Sequence, residues 1–178
     1  MIEKHEHEQY FWTPETVNGL ADFLAEFEHP CCICAPMVGA ELARRGKRVT
    51  NLDRDTRFSE HAGFRPYDLY RPEYLPERFD IILCDPPFFV MSLSQVFQGL
   101  RVLAQYDFTQ PLLIAYVARR SESIIGTFTP FGLRATGVSP AYVSVQNIER
   151  NRIELFGNLS DPQQARLAAC MGTSPSGI

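Results

Sequence analysis

The order of apolar and polar positions predicts strands that alternate with helices along most of the chain. Short apolar runs are typical of buried parallel strands, and apolar residues at helical spacing indicate amphipathic helices between them. The runs predict five strands, at 31–35, 48–53, 64–68, 79–84 and 111–117. The spacing predicts helices over 13–27, 37–45, 92–104 and 122–126. Parallel strands joined by crossover helices form a doubly wound α/β sheet.

The last third of the chain departs from this alternation. Residues 132–138 and 152–156 predict an antiparallel strand pair, joined through Pro140 and the polar stretch 146–151. We expect one domain over residues 1–159. Residues 160–178 are expected to be a C-terminal tail with a short helix and a disordered end rich in glycine, serine and proline.

The segment Asp85-Pro86-Pro87-Phe88 is the strongest candidate for chemistry, because it directly follows the apolar run 79–84. Prolines have no N–H for a strand ladder, so the strand ends there. A carboxylate, two accepting carbonyls and an aromatic ring then meet where open α/β sheets bind ligands. This set fits an amino group on a planar ring. The alternative is a sharp turn without chemistry, since Asp-Pro pairs are common in turns.

Two more carboxylates follow predicted strands. Asp53 ends the second strand, where an acidic side chain can accept hydrogen bonds from both hydroxyls of a ribose. Asp68 follows the third strand, where it can accept an amino proton from an adenine. An adenosine-containing cofactor would therefore lie across the strand ends, with its reactive end toward Asp85.

Composition narrows the setting. The chain has 178 residues, 45% of them hydrophobic and 21% charged, which is ordinary for a soluble domain. No apolar run approaches the ~20 residues of a membrane span and the start lacks a signal peptide's apolar region, so we expect a cytoplasmic protein without a membrane partner. A net charge of −4 argues against tight nonspecific binding of nucleic acid.

Other residue types are open to two interpretations. The five cysteines lack paired metal-ligand spacing, which favours small buried hydrophobes in a reducing compartment over a zinc site, and no metal is expected. The aromatic segment 10–12 can cover a cofactor or staple the following helix. Arg119 and Arg120 can meet a phosphate, meet an acidic peptide or simply face solvent. The stretch 146–151 can form a substrate rim.

The chain resembles a known family through two motifs in the same order. Gln9-Tyr10-Phe11-Trp12-Thr13-Pro14 resembles the N-terminal cofactor motif of class I S-adenosylmethionine (SAM) methyltransferases acting on adenine N6, and Asp85-Pro86-Pro87-Phe88 resembles their catalytic motif. The similarity is greatest to the group of probable N6-adenine methyltransferases. That group includes lysine methyltransferases of a translation elongation factor and enzymes that modify adenine in ribosomal RNA. Segments at 53–58, at 67–68 and around Pro140, Asn147 and Asn158 extend the resemblance over residues 9–158.

This resemblance implies a Rossmann-like sheet of seven strands and SAM as the cofactor. It implies that Asp85, Pro86, Pro87 and Phe88 are catalytic, and that the cofactor contacts Tyr10, Thr13, Pro14, Pro36, Asp53 and Asp68. The loop after the first strand departs from most class I enzymes, because residues 35–40 contain the single glycine Gly39. The elongation-factor enzymes are similarly poor in glycine there.

The motif indicates a nitrogen acceptor without identifying the molecule that carries it. Adenine N6 in RNA or another nucleic acid is favoured, with Arg119, Arg120, Arg150 and Arg152 expected along one side of the pocket. The alternatives are a lysine of a protein and a catalytically silent domain that only binds SAM. The core uses nearly all of the chain, so we do not expect a separate target-recognition domain for specific DNA sequences.

Overall fold

In the described part of the chain, the fold is a central sheet of seven strands with five α-helices. The computed structural model describes Glu3, residues 10–145 and residues 149–172, excluding the side chain of residue 149. The strands are β1 (Pro30–Ile33), β2 (Thr50–Asp53), β3 (Phe64–Pro66), β4 (Ile81–Cys84), β5 (Leu112–Val117), β6 (Arg134–Ala135) and β7 (Ile153–Gly157). The helices are α1 (Pro14–Leu24), α2 (Pro36–Arg44), α3 (Leu93–Leu103), α4 (Ser121–Thr127) and α5 (Asp161–Cys170).

The strand order across the sheet is β3-β2-β1-β4-β5-β7-β6. Strands β1 to β5 pair with one another in parallel, and β7 runs antiparallel to both β5 and β6. The predicted fold class, with its closing antiparallel pair, is confirmed. The order reverses at β1, which has β2 on one side and β4 on the other, and a crevice opens at the carboxyl ends of the strands at such a point.

The core lies in the middle of the sheet, where all residues of β1, β4 and β5 are buried. Parallel strands covered on both faces read as continuous apolar runs, which is why these three were visible in the sequence. Helix α1 packs against α2 and α5, and α3 packs against α4. The rigid sheet therefore fixes the strand ends at which the candidate carboxylates lie.

Local capping explains where α1 begins and ends. The Thr13 hydroxyl accepts a hydrogen bond from the Thr16 N–H at 3.3 Å, and a proline follows at the first helical position. The helix ends at Leu24 rather than near Phe27, because the Phe27 N–H bonds to the Leu24 carbonyl in a tighter turn. Pro30 is the first residue of β1, one position before the predicted start of that strand.

The one glycine after β1 belongs to α2 rather than to a loop around a ligand. A Cβ atom on Gly39 would lie 2.3 Å from Cγ of Asn51, a side chain that is fully buried between α2 and β2. The Asn51 amide donates to the Pro36 carbonyl at 3.2 Å, which ties the start of α2 to β2. Cys34 makes the turn itself, in the left-handed region with φ of 55°. The glycine serves the close packing of a helix on a strand.

The short helix expected after residue 159 is α5. Leu167 and Ala168 are buried, and the helix packs against α1. The end expected to be disordered lies, from residue 173 onward, outside the described residues, and the boundary at 159/160 stays a prediction. In the described part of the chain, no helix has both the length and the apolar character needed to cross a bilayer.

Candidate active site

A cavity of about 440 Å³ opens at the carboxyl ends of β1, β2 and β4. We call it the first cavity. Its walls include eight of the ten residues that the sequence singled out: Tyr10, Pro36, Asp53, Asp68, Asp85, Pro86, Pro87 and Phe88. Parallel strands deliver these residues to one edge of the sheet, although they are spread over much of the chain.

Thr13 and Pro14 do not line this cavity. They form the start of α1, and the Thr13 N–H donates to the Ala141 carbonyl at 2.8 Å. The Val143 N–H donates in turn to the Phe11 carbonyl at 2.9 Å. Tyr10 and Phe11 therefore belong to the cavity wall, while the backbone of Phe11 and Thr13 holds this segment against residues 141–143.

Asp53 lies at the end of β2, half-buried in the wall of the first cavity. One carboxylate oxygen accepts the Asp55 N–H at 2.8 Å, which lowers the pKa of Asp53. Burial outweighs this hydrogen bond and raises the pKa of Asp53 to about 6. Hydroxyl donors from a ligand would stabilise such a carboxylate, and the two hydroxyls of a ribose are donors of this kind.

Asp68 follows β3 in a loop that its neighbours hold in place. Its carboxylate accepts the Tyr70 N–H at 3.0 Å. The buried hydroxyl of Tyr67 donates to the Glu73 carbonyl at 3.0 Å and accepts the Glu73 N–H at 3.0 Å. Burial raises the pKa of Tyr67 to about 12, so this phenol stays protonated. Hydrogen bonds within the loop thus fix the position of Asp68 beside the first cavity.

Asp85 directly follows β4, and its N–H donates to the Ile33 carbonyl of β1 at 3.2 Å. Burial raises the pKa of Asp85 well above its usual range, and the charge of Asp53 adds to this effect. The hydroxyl of Tyr142 donates to Asp85 Oδ1 at 2.7 Å, and this bond lowers the pKa of Asp85. A carboxylate held in this way attracts either a proton or a hydrogen-bond donor.

The rest of the motif supplies a backbone acceptor and a ring. The Pro87 carbonyl accepts the Met91 N–H at 3.1 Å, whereas the Pro86 carbonyl has no backbone partner among the described residues. The Phe88 ring packs edge-on against Tyr116, with centroids 5.3 Å apart and planes at 88°. Asp85, the Pro86 carbonyl and the ring of Phe88 thus form a site for a hydrogen-bond donor attached to a flat group.

A second cavity of about 430 Å³ shares Tyr10, Phe88 and Tyr142 with the first. Arg119 and Arg150 line it, as does Asn151 from the expected substrate rim. Residues 146–148 of that rim lie outside the described residues. The two cavities share the wall where Phe88 lies, so a ligand in either cavity would be next to Phe88.

The other two arginines expected at the pocket have different partners. Arg120 lies over the ring of Tyr116, with its guanidinium carbon 5.7 Å from the centroid. Arg152 pairs with Glu154 at 3.6 Å. The expectation that four arginines line one side of the pocket therefore holds for Arg119 and Arg150 alone, because the turn after β5 sends adjacent side chains in different directions.

Sequence reasoning missed Tyr142 and misjudged two cysteines. Tyr142 lies in a stretch without helical or strand periodicity, and it forms an isolated backbone bridge with Trp12. Cys34 and Cys170, expected to be small buried hydrophobes, are only half-buried, and Cys34 lines the first cavity. Cys31, Cys32 and Cys84 are buried as expected, and burial raises the pKa of each thiol. No three His, Cys, Asp or Glu side chains in the described ranges are grouped to hold a metal ion.

Solved structures share this sheet. Magnesium protoporphyrin IX methyltransferase (ChlM) from Synechocystis PCC 6803 with bound SAM is 14% identical, with a TM-score of 0.54, over 82% of this chain and 79% of that one. The N-methyltransferase NodS from Bradyrhizobium japonicum WM9 in complex with S-adenosyl-L-homocysteine is 16% identical, with a TM-score of 0.53, over 83% and 89%. At this identity the likeness establishes the fold, and the fold is that of class I SAM-dependent methyltransferases.

A family model sharpens this assignment. The model described as "Probable N6-adenine methyltransferase" matches residues 3–160, which is most of the chain. The chain belongs to this family and is a SAM-dependent methyltransferase, as the two motifs implied. A search among curated proteins gave no significant match.

Proposed function

We propose that this methyltransferase transfers a methyl group from SAM to an amino nitrogen, and that the acceptor is N6 of adenine in RNA. The observation that carries the proposal is the wall between the two cavities. Asp85 and Pro86 line the first cavity, and Phe88 lines both. Acceptors and a ring at such a wall suit a planar amine that enters from one side and a methyl donor that enters from the other.

The first cavity fits SAM. Its volume of about 440 Å³ is within the range of small-molecule sites. Asp53 would accept the ribose hydroxyls, Asp68 would accept from the adenine amino group, and Tyr10 and Pro36 would form apolar walls. SAM supplies an electrophilic methyl group on a sulfonium. Hydroxyl donors would also offset the unfavourable desolvation of the Asp53 carboxylate, so the site should favour a nucleoside.

The acceptor side has to overcome the poor nucleophilicity of an aromatic amine. Hydrogen bonds from its two N–H groups to Asp85 and to the Pro86 carbonyl favour a pyramidal nitrogen with an available lone pair. Stacking on Phe88 would stabilise the bound base by about 1–3 kcal/mol. In transfer the new N–C bond forms as the C–S bond breaks, the sulfur keeps the electron pair, and the amino nitrogen releases a proton that Asp85 accepts. Positioning supplies most of the catalysis.

Local charge supports RNA despite the net charge of −4. Arg119 and Arg150 line the second cavity, where a phosphate beside the target base can reach them. Phe89 also lines this cavity and is 74% exposed, so a neighbouring base can stack on its ring. The family description names adenine N6, which agrees with this chemistry. A flipped or unpaired adenine is therefore the acceptor that the second cavity suits best.

A protein lysine is the second candidate, and the acidic pI of about 5.6 favours it because a basic partner would be attracted. The lysine ammonium, with an ordinary pKa of about 10.4, would have to lose a proton before attack, and the desolvated setting of Asp85 would assist that step. A silent scaffold is the least favoured alternative. Desolvation of Asp85 lowers the stability of the fold, and a domain that only binds SAM would gain nothing in return.

The test is a transfer assay with tritiated SAM and two separate acceptor pools, RNA and protein, from the same cell extract. We expect label that nuclease removes and that elutes as N6-methyladenosine after digestion. The matched control is Asp85→Ala, which should bind SAM and transfer little label. Label that only protease removes would replace adenine by lysine. Saturable SAM binding without transfer to either pool would support the scaffold.

A further inference from the structure

We infer that Tyr142 is a positioning residue: its hydroxyl fixes one oxygen of Asp85 so that the other oxygen faces the acceptor nitrogen. This inference rests on the proposed amino-group transfer and holds for adenine and lysine alike. Its starting observation is the 2.7 Å hydrogen bond from the Tyr142 hydroxyl to Asp85 Oδ1. Tyr142 also lines both cavities, so it lies where the two ligands of the reaction would meet.

The two oxygens of the Asp85 carboxylate have different roles. An ionised carboxylate accepts hydrogen bonds on both oxygens. Oδ1 is bound by Tyr142, so Oδ2 is the oxygen left for an N–H of the acceptor and later for its proton. The Asp85 backbone is fixed as well, through the bond of its N–H to the Ile33 carbonyl. A carboxylate fixed at the backbone and at one oxygen presents the other oxygen in one direction, as a site for in-line displacement requires.

Tyr142 is held by the backbone on both sides. The Ala141 carbonyl accepts the Thr13 N–H at 2.8 Å, and the Val143 N–H donates to the Phe11 carbonyl at 2.9 Å. The Ala141 N–H also donates to the Thr16 hydroxyl at 3.0 Å. These bonds attach the residues on either side of Tyr142 to the start of α1. The phenol is therefore part of the fixed wall of the site and not a plug that leaves when a ligand enters.

Packing holds the ring in the same way. The Tyr142 ring lies 6.0 Å from the ring of Trp12, which is almost fully buried, and the two residues form an isolated antiparallel bridge. A phenylalanine at position 142 would keep this contact and lose only the hydroxyl. That makes Tyr142→Phe a substitution that isolates the hydrogen bond.

The hydrogen bond also affects the ionisation of Asp85. Asp85 faces the charge of Asp53, and the thiols of Cys34 and Cys84 lie close enough to interact with it. Burial and Asp53 favour the protonated acid, and in the described residues Tyr142 is the side chain that favours the carboxylate. The Tyr142 phenol stays a donor, because burial and the adjacent charge of Asp85 raise its pKa well above the usual range. Loss of the hydroxyl should therefore leave Asp85 protonated up to a higher pH.

The test compares wild-type protein, Tyr142→Phe and the control Tyr106→Phe, whose exposed phenol lies outside both cavities. The first readout needs no acceptor: carbon NMR of ¹³C-labelled aspartate, assigned with Asp85→Asn, follows the titration of Asp85. In Tyr142→Phe the midpoint should move up by about one to two pH units, the effect of one lost hydrogen bond to a charged group. An unchanged midpoint overturns the inference.

The second readout is transfer from tritiated SAM to the RNA or protein pool that the wild type labels. Tyr142→Phe should lower kcat at neutral pH by about tenfold to a hundredfold, with an unchanged KM for SAM. The acid limb of its rate profile should move up in pH together with the NMR midpoint, while Tyr106→Phe matches the wild type. A rate loss equal at all pH values would overturn the inference. Failure of the wild type to label either pool would instead overturn the proposed function.

Discussion

The charge on Asp53 should make the protein less stable than it would be with a neutral side chain. Asparagine has the same size and keeps an oxygen for the Asp55 N–H, which lies 2.8 Å from Asp53 Oδ1. The substitution Asp53→Asn therefore removes the charge and keeps an acceptor for the Asp55 N–H. We expect this variant to be more stable than the wild type at neutral pH and to bind SAM more weakly, because an amide is a poorer acceptor for two hydroxyls.

The size of the effect follows from the pKa of Asp53, which burial raises from 3.8 to about 6. One pKa unit corresponds to about 1.36 kcal/mol, so charged Asp53 lowers the free energy of unfolding by at most about 3 kcal/mol at neutral pH. The native state binds this proton more tightly than the unfolded chain does. Wild-type stability should therefore fall as pH rises from about 4 to about 6, and Asp53→Asn should not show this fall.

Urea denaturation of both proteins at pH 4 and pH 7.5, without ligand, measures the difference. The gain in stability of Asp53→Asn should be near its full value at pH 7.5 and nearly absent at pH 4. Asp107→Asn is a control for which we expect the opposite change in stability. Hydrogen bonds from Thr109 lower the pKa of Asp107, so its substitution should reduce stability at neutral pH. An equal gain for Asp53→Asn at both pH values, or no gain at pH 7.5, would refute the reasoning.

Three further predictions concern packing, transfer and RNA. Gly39→Ala should lower the free energy of unfolding by about 1–3 kcal/mol in urea, because its Cβ would lie 2.3 Å from a buried side chain. Gly126→Ala, in an open part of α4, should raise the free energy of unfolding by about 0.5–1 kcal/mol. Equal effects of the two substitutions would contradict the close packing of Gly39 on Asn51. Asp85→Ala should keep SAM affinity within about tenfold in calorimetry yet lose most transfer, and undiminished turnover would exclude the assigned role. Arg119→Glu should weaken RNA binding and reduce its salt dependence by about one phosphate contact. The control Arg48→Glu changes an exposed arginine outside both cavities and should do neither. Identical behaviour of the two variants would show that Arg119 does not contact the RNA.

The sequence was enough to predict the fold and the carboxylates because both depend on local order along the chain. Buried parallel strands are continuous apolar runs, and a residue that directly follows such a strand must lie at the edge of the sheet. Asp53 and Asp85 are placed by this rule alone. The ends of helices and strands moved by a few residues, as at Leu24, because caps and tight turns decide them.

Tyr142 could not be predicted, because its place depends on a contact between distant parts of the chain. It lies in a stretch without periodicity, and pairing with the segment around Trp12 brings it to Asp85. Arg119 and Arg120 pose the same difficulty on a smaller scale. They are adjacent in the sequence, yet one lines the second cavity and the other lies over Tyr116.

The pairing of residues 11–13 with residues 141–143 has a consequence for synthesis of the protein. Thr16 and Ala141, which bond across this pairing, are 125 residues apart, so the ribosome needs about 10 s to deliver the second after the first. Strands β1, β2 and β4 leave the ribosome well before that. A nascent chain therefore acquires the hydrogen bond from Tyr142 to Asp85 only when most of the chain has emerged.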